Sequence, residues 1–269
     1  MSCSRHILNL ARAIAIGCAI AGAVMPAAAQ NTLVVGAVRT PGGFDGDALR
    51  PATREVVPQI YEGLTRYPRT VKNEYSFVLD TSKVEPHLAE RWTVSPNGTE
   101  YVFKLREGVK SPYGNELTSD DVVWGWQKSI AQKRTGSFIA EVSNVQSVEV
   151  VSKYEVRFTL SAPSEIFLRA LATYVPSIYD SKEVKTHATP SDPWALKWME
   201  THAAGYGAYH LESLVQGQQA VFVANPNYFG DKPFFTRVIY REIPSPAVRL
   251  QLIKARQIHW AEDLTATDS

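Results

Sequence analysis

Residues 84–130 read VEPHLAERWTVSPNGTEYVFKLREGVKSPYGNELTSDDVVWGWQKSI and decide the fold of the chain. Within this stretch the dipeptide Asn97-Gly98 separates two runs of strand-forming residues. Because Asn and Gly tolerate positive φ angles, the arrangement predicts a β-hairpin with a type I′ turn. In the second run Tyr101 and Phe103 alternate with more polar residues, which predicts a strand with one buried face.

A capped helix is predicted after this hairpin. Thr118 and Asp121 are three residues apart just before an apolar run, which is the spacing of a capping box that satisfies otherwise unpaired amides at a helix start. The apolar residues that follow at helical spacing form the predicted buried stripe: Val122, Val123, Trp126 and Ile130. Lys128 lies off that stripe.

The same stretch resembles the family 5 extracellular solute-binding proteins, which are the peptide-, oligopeptide- and nickel-binding components of bacterial ABC importers. The residues that carry the resemblance lie in order along the hairpin, the loop and the helix start: Pro86, Leu88, Ala89, Trp92, Val94, Ser95, Asn97, Gly98, Tyr101, Phe103, Leu105, Arg106, Gly108, Val109, Lys110, Gly114, Thr118, Asp121 and Val122. The resemblance implies an α/β fold with the lobe of a type II periplasmic binding protein, a mixed sheet and a smaller inserted α/β subdomain. It also implies that a second lobe is missing from this chain.

The domain organisation predicted on this basis has three parts. Residues 1–29 are a signal peptide, residues 30–66 and 175–269 form the main subdomain of the first lobe with the start of the crossover to the second, and residues 67–174 form the inserted subdomain. The signal peptide is predicted from the residues themselves. Arg5 and Arg12 flank the start of an apolar segment that is too short to span a bilayer, and Ala27-Ala28-Ala29 completes a cleavage site.

Cleavage after Ala29 would place the mature chain in the periplasm. Both cysteines, Cys3 and Cys18, lie in the segment to be removed, so we expect no disulfide, cysteine metal site or cysteine nucleophile in the mature protein. Lipidation at Cys18 is the alternative, although Cys18 sits inside the apolar run and Ala15 is small for a lipoprotein processing site.

Charge and motifs narrow the class of function. The formal net charge is +1 and the two signs are interspersed, so nucleic acid is not an expected partner. Nucleophile-elbow, phosphate-loop and zinc-protease motifs are lacking, and the histidines have no helical metal spacing. We therefore expect no catalytic residues, no metal and no cofactor. An exported hydrolase with a scattered triad is the competing class, and turnover of a peptide or ester would identify it.

Candidate ligand-binding residues come from the resemblance, which places a cleft-lining segment just before a Phe-Asp dipeptide, here Phe44-Asp45. The predicted ligand-binding residues are Thr40, Pro41, Gly42, Gly43, Phe44 and Phe138. Gly42 and Gly43 permit close approach of the backbone to a ligand, and Phe138 can stack but cannot donate a hydrogen bond. An ordinary turn is the alternative for the loop, and Glu62 is interpreted as structural.

The remaining elements follow from periodicity and turn residues. They are a strand at 32–38, a helix at 53–66, a loop or insertion at 69–83, a break in helical periodicity at 133–138, a second hairpin at 148–160, a short helix after Pro163 with Ile166 inward, a helix that contains residues 194–199 and stops near Gly205, strands at 220–224 and 237–243, a helix at 248–254 and a final strand at 258–261. Gly205 and Gly207 suit a tight backbone crossing between subdomains.

These observations predict a monomeric, periplasmic substrate-binding component of an ABC importer. Its solute is expected to be a peptide or a related small molecule, bound without covalent chemistry in a cleft between two lobes and passed to ABC permease subunits in the inner membrane. The alternative is a truncated product whose first lobe folds but does not bind or transport a solute effectively, because half a cleft leaves most of the ligand surface wet.

Overall fold

The computed structural model describes residues 31–48, 50, 52–73, 76–173, 175 and 177–264. The predicted signal peptide, its cleavage after Ala29 and the alternative lipidation at Cys18 lie outside these residues. Across the described ranges, none of the helices has the length and apolar character that crossing a membrane requires.

The described residues form thirteen strands and six α-helices. The strands are β1 (Thr32–Ala37), β2 (Thr65–Arg66), β3 (Arg69–Asn73), β4 (Ser76–Leu79), β5 (Glu85–Pro86), β6 (Ala89–Val94), β7 (Glu100–Leu105), β8 (Val145–Ser152), β9 (Glu155–Leu160), β10 (Tyr209–Val215), β11 (Gln219–Ala224), β12 (Arg237–Glu242) and β13 (Trp260–Ala261). The helices are α1 (Val57–Ile60), α2 (Ser119–Ala131), α3 (Thr135–Val142), α4 (Phe167–Ala170), α5 (Ser181–Thr186) and α6 (Pro246–Lys254), and a 3₁₀ turn covers Trp198–Glu200.

Five strands form a mixed sheet in the order β10-β11-β12-β1-β13. β1 pairs in parallel with β12 and β13, whereas β10, β11 and β12 pair antiparallel. Val35 packs with Phe222 and α1 on one face. On the other face a Cβ at Gly36 would lie 2.6 Å from Ile258 Cδ1, so the small residue lets the segment after α6 approach the sheet. The predicted strand at 32–38 and the mixed sheet are confirmed.

A second sheet has four antiparallel strands in the order β6-β7-β9-β8. The predicted alternation in β7 is confirmed, because Tyr101 and Phe103 are buried while their neighbours are half-exposed. Phe103 packs edge-on against Phe158 of β9, with ring centroids 5.5 Å apart. α2 packs on this sheet and contributes Trp126 to the same hydrophobic cluster.

The hairpin at Asn97-Gly98 is confirmed, but its predicted turn type is wrong. The Gly98 amide donates to the Ser95 carbonyl at 2.8 Å, so Pro96 and Asn97 are the two central residues. Gly98 has a φ of +69°, whereas Asn97 does not have a positive φ. A type I′ turn needs positive φ at both central residues, and the proline ring fixes φ near about −65°.

The start of α2 is as predicted, but its buried face is wider than the apolar stripe. The Thr118 amide donates to Asp121 Oδ2 at 2.8 Å, which confirms the capping interaction. Ile130 is 48% exposed, so its assignment to the buried stripe is wrong. Lys128, which lies off the stripe, is fully buried together with Trp124 on a second face of the helix. α2 therefore lies between two hydrophobic clusters.

The helix predicted at residues 53–66 is wrong in length, because only Val57–Ile60 is α-helical. Tyr61 ends the helix in an extended conformation with φ −116° and ψ 147°. Gly205 and Gly207 lie against this end, where a Cβ would lie 2.4 Å and 2.6 Å from the Ile60 carbonyl oxygen. The predicted close backbone approach at these glycines is thus confirmed, and its packing overrides the helical pattern. That the chain crosses between subdomains at this point stays a prediction.

Gly207→Ala is expected to destabilise the protein by about 1–3 kcal/mol, because the new methyl group would displace the Ile60 backbone. Chemical denaturation would measure this free energy. Gly217→Asn is the control, since the surroundings of Gly217 are open and its φ of +76° suits Asn. An alanine variant as stable as the wild type would contradict the tight crossing.

Several other predictions need correction. The segment at 69–83, predicted as a loop or insertion, contains the exposed β3-β4 hairpin. The helix predicted to contain residues 194–199 and to stop near Gly205 is reduced to the Trp198–Glu200 turn. Ile166 is 46% exposed instead of inward. The break at 133–138 is the end of α2, where Lys133 has a φ of +49° before α3 begins. The second hairpin, the strands at 220–224 and 237–243 and the helix at 248–254 are confirmed with small shifts of their ends.

The two larger sheets differ in their place along the chain. All strands of the four-stranded sheet lie within residues 67–174, and all strands of the mixed sheet lie outside them. The cluster around Phe103 also includes Leu64 and Tyr206 from outside that range. The exact domain boundaries stay a prediction.

Candidate functional site

The loop after β1 leaves the mixed sheet at the carboxyl end of a parallel strand, which is where open α/β sheets place ligands. Thr40, the first predicted ligand-binding residue, is buried. Its hydroxyl donates to Glu242 Oε2 at 2.9 Å and accepts a hydrogen bond from the Gly217 amide at 3.1 Å. Its own amide also donates to Glu242 Oε2, at 2.7 Å. Thr40 therefore anchors the loop to β12.

Gly42 and Gly43 bring this loop next to Arg50, although Gly43 is buried. Gly42 is exposed, and its carbonyl accepts a hydrogen bond from Arg50 Nη1 at 2.9 Å. Gly43 has a φ of +140°, and a Cβ there would lie 3.3 Å from Arg50 Nη1. The preceding Pro41 is buried. The loop thus brings exposed backbone next to the guanidinium of Arg50.

Phe44 is fully buried in the core. Its ring packs edge-on against Phe222, with centroids 6.0 Å apart. Its amide donates to the Met199 carbonyl at 2.8 Å, and its carbonyl accepts from the Tyr61 hydroxyl at 2.7 Å. The side chain therefore holds the loop in place, and a contact between Phe44 and a ligand stays a prediction.

Phe138 lies on α3, and its side chain is 60% exposed. The start of this helix meets the loop that follows Phe44, because Thr135 Oγ1 donates to the Asp47 carbonyl at 3.1 Å. The structure therefore links the helix that carries Phe138 with the chain segment that carries the other predicted ligand-binding residues.

A pocket of about 270 Å³ opens at this junction, and we call it the cationic pocket. The residues that line it come from the loop and from the turn before α3: Asp47, Ala48, Arg50, Lys133, Arg134 and Thr135. Among the ion pairs between described residues, none includes Arg50, Lys133 or Arg134. The first turn of α3 also has no acidic residue, so the positive potential of the backbone N–H groups at this helix N-terminus is not neutralised by a neighbouring carboxylate of that turn. These features favour an anionic group in the pocket.

A buried ion cluster adjoins the pocket and shares Asp47 with it, and the sequence did not indicate it. Lys128 Nζ donates to Asp45 Oδ1 at 2.6 Å and to Asp47 Oδ2 at 3.0 Å. The Tyr179 hydroxyl donates to Asp45 Oδ1 at 2.8 Å. Lys128 and Tyr179 are fully buried, and the two aspartates are nearly so.

The two carboxyl groups of this cluster differ in pKa. Burial tends to raise the pKa of Asp45, but the Lys128 ammonium and hydrogen bonds from Lys128 and Tyr179 outweigh it, so this pKa is lowered. Burial raises the pKa of Asp47, and the neighbouring Asp45 adds to the effect against the opposing influence of Lys128. Within the described part of the chain, Asp47 Oδ1 has no hydrogen-bond partner. Asp45 is thus the principal counter-ion of Lys128.

A larger trough lies beside Val35 of β1 and at the carboxyl end of β13. It has a volume of about 480 Å³, and its walls include Trp260, Tyr240 and charged residues. Burial, with the nearby Glu55 and Asp263, raises the pKa of Glu262 in this trough. The trough therefore combines exposed aromatic surface with acidic groups, in contrast to the cationic pocket.

Glu62 has the contacts of a structural residue, in agreement with its interpretation from the sequence. Its carboxylate lies 2.6 Å from His87 Nε2 and accepts from the Tyr228 hydroxyl at 2.8 Å. These contacts join three separate chain segments. Among the described residues, no group of three His, Cys, Asp or Glu side chains is arranged to hold a metal ion.

Known proteins of similar sequence are solute-binding proteins. The chain is 29% identical to the di/tripeptide-binding protein 4 of Pseudomonas aeruginosa over 91% of its own length and 47% of that protein. It is 32% identical to a probable D,D-dipeptide-binding periplasmic protein of Escherichia coli, over 69% of its length and 35% of that protein. The chain thus spans less than half of the length of these relatives.

Solved structures give the same fold. The mannopinic acid complex of MoaA from Agrobacterium tumefaciens R10 superposes with a TM-score of 0.72 at 28% identity, over 86% of this chain and 44% of that one. NikA from Brucella suis in complex with Fe(III)-EDTA superposes with a TM-score of 0.69 at 26% identity, over 84% of this chain and 42% of the NikA chain. The α/β fold with a mixed sheet is that of type II periplasmic binding proteins, as predicted.

The resemblance predicted from residues 84–130 is confirmed by a family comparison that covers most of the chain. The sequence profile of the bacterial extracellular solute-binding proteins, family 5 Middle, matches residues 83–269. The described hairpin, capped helix and mixed sheet all lie wholly or largely in this range. The chain belongs to the family 5 bacterial extracellular solute-binding proteins.

Proposed function

We propose that this chain is the solute-binding component of an ABC importer, and that it holds a carboxylate group of its solute in the cationic pocket. The observation that carries the proposal is the convergence of Arg50, Lys133 and Arg134 on one pocket beside the loop that the family resemblance associates with ligand. A carboxylate would accept charge-assisted hydrogen bonds from these side chains, and an arginine can bind it with two parallel bonds.

The ligands of related proteins support a carboxylate-bearing solute. Mannopinic acid and EDTA, named in two of the similar structures, are carboxylates. A peptide, as named for the di/tripeptide-binding relative, carries a carboxylate at its C-terminus. We therefore propose a short peptide or a related small carboxylate as the solute class. Binding is non-covalent, and the chain is proposed not to be an enzyme.

The predicted ligand-binding residues have definite parts in this proposal. Gly42 offers exposed backbone beside Arg50, the buried Gly43 lies against the Arg50 side chain, and Phe138 offers an exposed ring on the helix that starts at the pocket. Thr40 and Phe44 hold the loop from behind. The aromatic face of Phe138 would cover an apolar portion of the solute.

The proposed setting is the periplasm, reached by an N-terminal signal peptide. The printed name of the Escherichia coli relative describes a periplasmic protein, which supports this location. The proposed partners are the solute and the ABC permease subunits, with the chain acting as a monomer and the solute enclosed in a cleft between lobes. As the chain spans less than half of its relatives, these statements concern the whole protein.

Arg50→Ala is expected to weaken binding of a carboxylate solute about tenfold, because a charge-assisted hydrogen bond is lost. Calorimetric titration of the purified chain with citrate and with a free-acid tripeptide would measure the affinity. The tripeptide amide, which lacks the terminal carboxylate, is expected to bind more weakly than the free acid. Rising salt concentration should weaken binding of both acids.

Lys83→Ala is the matched control for Arg50→Ala, since it removes one positive charge from an exposed position that does not line the pocket. We expect its affinity for citrate to equal that of the wild type. Equal affinity of wild type and Arg50→Ala, or equal binding of the tripeptide acid and amide, would contradict the carboxylate site. Failure of the wild-type chain to bind any of these probes would reject the proposal for this chain by itself.

A further inference from the structure

The cationic pocket is built from two separate chain segments. The first wall consists of Asp47, Ala48 and Arg50, in the loop that follows Phe44. The second wall consists of Lys133, Arg134 and Thr135, in the turn between α2 and α3. These segments are more than 80 residues apart in sequence, as the separation of 88 between Asp47 and Thr135 shows. Their spacing must therefore be fixed by tertiary contacts.

The second wall is tied to the end of α2 by backbone hydrogen bonds. The Arg134 amide donates to the Ser129 carbonyl at 3.0 Å, and the Gln132 amide donates to the Lys128 carbonyl at 2.9 Å. Any displacement of the last turn of α2 would therefore move the second wall with it. Lys128 lies on this last turn.

The side chain of Lys128 reaches back to the first wall. Its ammonium binds the carboxylates of Asp45 and Asp47 at 2.6 Å and 3.0 Å. Asp47 is itself part of the first wall, and the Tyr179 hydroxyl accepts from its amide at 3.1 Å. The contact between Thr135 Oγ1 and the Asp47 carbonyl is a second link between the walls.

Charge gives the cluster a further effect on the pocket. Arg50, Lys133 and Arg134 place like charges on both walls, and these charges repel each other. The adjoining cluster contains two carboxylates and one ammonium, and Asp47, which carries one of these carboxylates, itself lines the pocket. The carboxylates of the cluster attract the positive charges of both walls and so oppose this repulsion.

We propose that Lys128 is the positioning residue of the cationic pocket, and that its bonds to Asp45 and Asp47 set the spacing of the two walls that an anionic solute requires. The ammonium is fully buried, so it acts through the walls and does not touch the solute. The solute-binding part of this inference rests on the proposed function, whereas the spacing of the walls does not.

The triple variant Lys128→Met/Asp45→Asn/Asp47→Asn tests the proposal. It leaves no unpaired charge in the core, so we expect it to fold. Its affinity for citrate, measured by calorimetry, should fall at least tenfold. Amide hydrogen exchange should accelerate in residues 45–50 and 133–138 and stay unchanged in β7 and β9.

Val156→Ala is the control for a general loss of stability, because Val156 is fully buried in the four-stranded sheet and outside the pocket. We expect this variant to keep wild-type citrate affinity and wild-type exchange in both walls. A folded triple variant with wild-type affinity and exchange would overturn the proposal. If the wild-type chain binds no probe, the proposed function fails. The positioning role of Lys128 is then tested by amide hydrogen exchange in the two walls alone, compared between the triple variant and the wild type.

Thr135→Val tests the proposed spacing of the two walls even if the triple variant does not fold. It removes the hydroxyl link to the Asp47 carbonyl at a half-buried position. Citrate binding should weaken and exchange in residues 45–50 should accelerate, both to a smaller extent than in the triple variant. Wild-type values for both would overturn the proposal.

Discussion

Lys128→Met is expected to lower the free energy of unfolding by about 3–5 kcal/mol at pH 7, because it leaves two buried carboxylates without their cation. The Lys128 side chain is fully buried, and Asp45 and Asp47 are 5% and 1% exposed, so water cannot take over the role of the ammonium. Urea denaturation followed by circular dichroism would measure the change.

The matched control is Lys153→Met, which removes a lysine from an exposed ion pair with Glu116. Ion pairs at the surface contribute little to stability, so this variant should unfold almost as the wild type does. A Lys128→Met variant that is as stable as Lys153→Met would contradict the assignment of a buried ion cluster.

The loss in Lys128→Met should depend on pH. The pKa of Asp45 is lowered in the folded protein, so its stabilising effect is present above the unfolded value of about 3.9 and is lost as the pH falls through the folded pKa. The raised pKa of Asp47 acts in the opposite direction, with stability lost as the pH rises. Without Lys128 both carboxyl groups favour the protonated form. The difference between variant and wild type should therefore be smaller at pH 3.5 than at pH 7.

Local signals in the sequence predicted the elements whose stabilising contacts are also local. The Thr118–Asp121 cap closes within one helical turn, and the hairpin at Gly98 depends on residues within a few positions of it. The predicted helix at 53–66 failed for the opposite reason. It ends where Gly205 and Gly207 press on Ile60, and these contacts come from residues about 145 positions away, which no periodicity can detect.

The candidate site divides in the same way. The family resemblance directed attention to residues 40–44 and to Phe138, and the structure links their segments through Thr135 and Asp47. The sequence did not indicate Lys128, because a lysine off the apolar stripe of a helix ordinarily faces solvent. Asp45 and Asp47, which bind its ammonium, lie 83 and 81 residues earlier in the chain. Only the basic dipeptide Lys133-Arg134 before Thr135 was a local sign of the cationic pocket.

Phe44→Ala is expected to destabilise the protein by about 3–5 kcal/mol, because it empties a fully buried position in the core. The lost contacts include the ring of Phe222 at 6.0 Å. Thermal and urea denaturation would measure the effect. This result would show that the Phe44 side chain serves to pack the core. Phe44 would then contribute to solute binding only by fixing the position of the loop backbone.

Phe44→Leu separates packing from a direct solute contact. Leucine keeps much of the apolar volume, so the loss of stability should stay below about 1.5 kcal/mol, and the affinity for citrate and tripeptide should remain that of the wild type. A large drop in affinity with little change in stability would place the Phe44 ring against the solute and contradict the buried position. In either case the backbone bonds from Phe44 to Met199 and Tyr61 remain available. The comparison therefore tests the side chain alone.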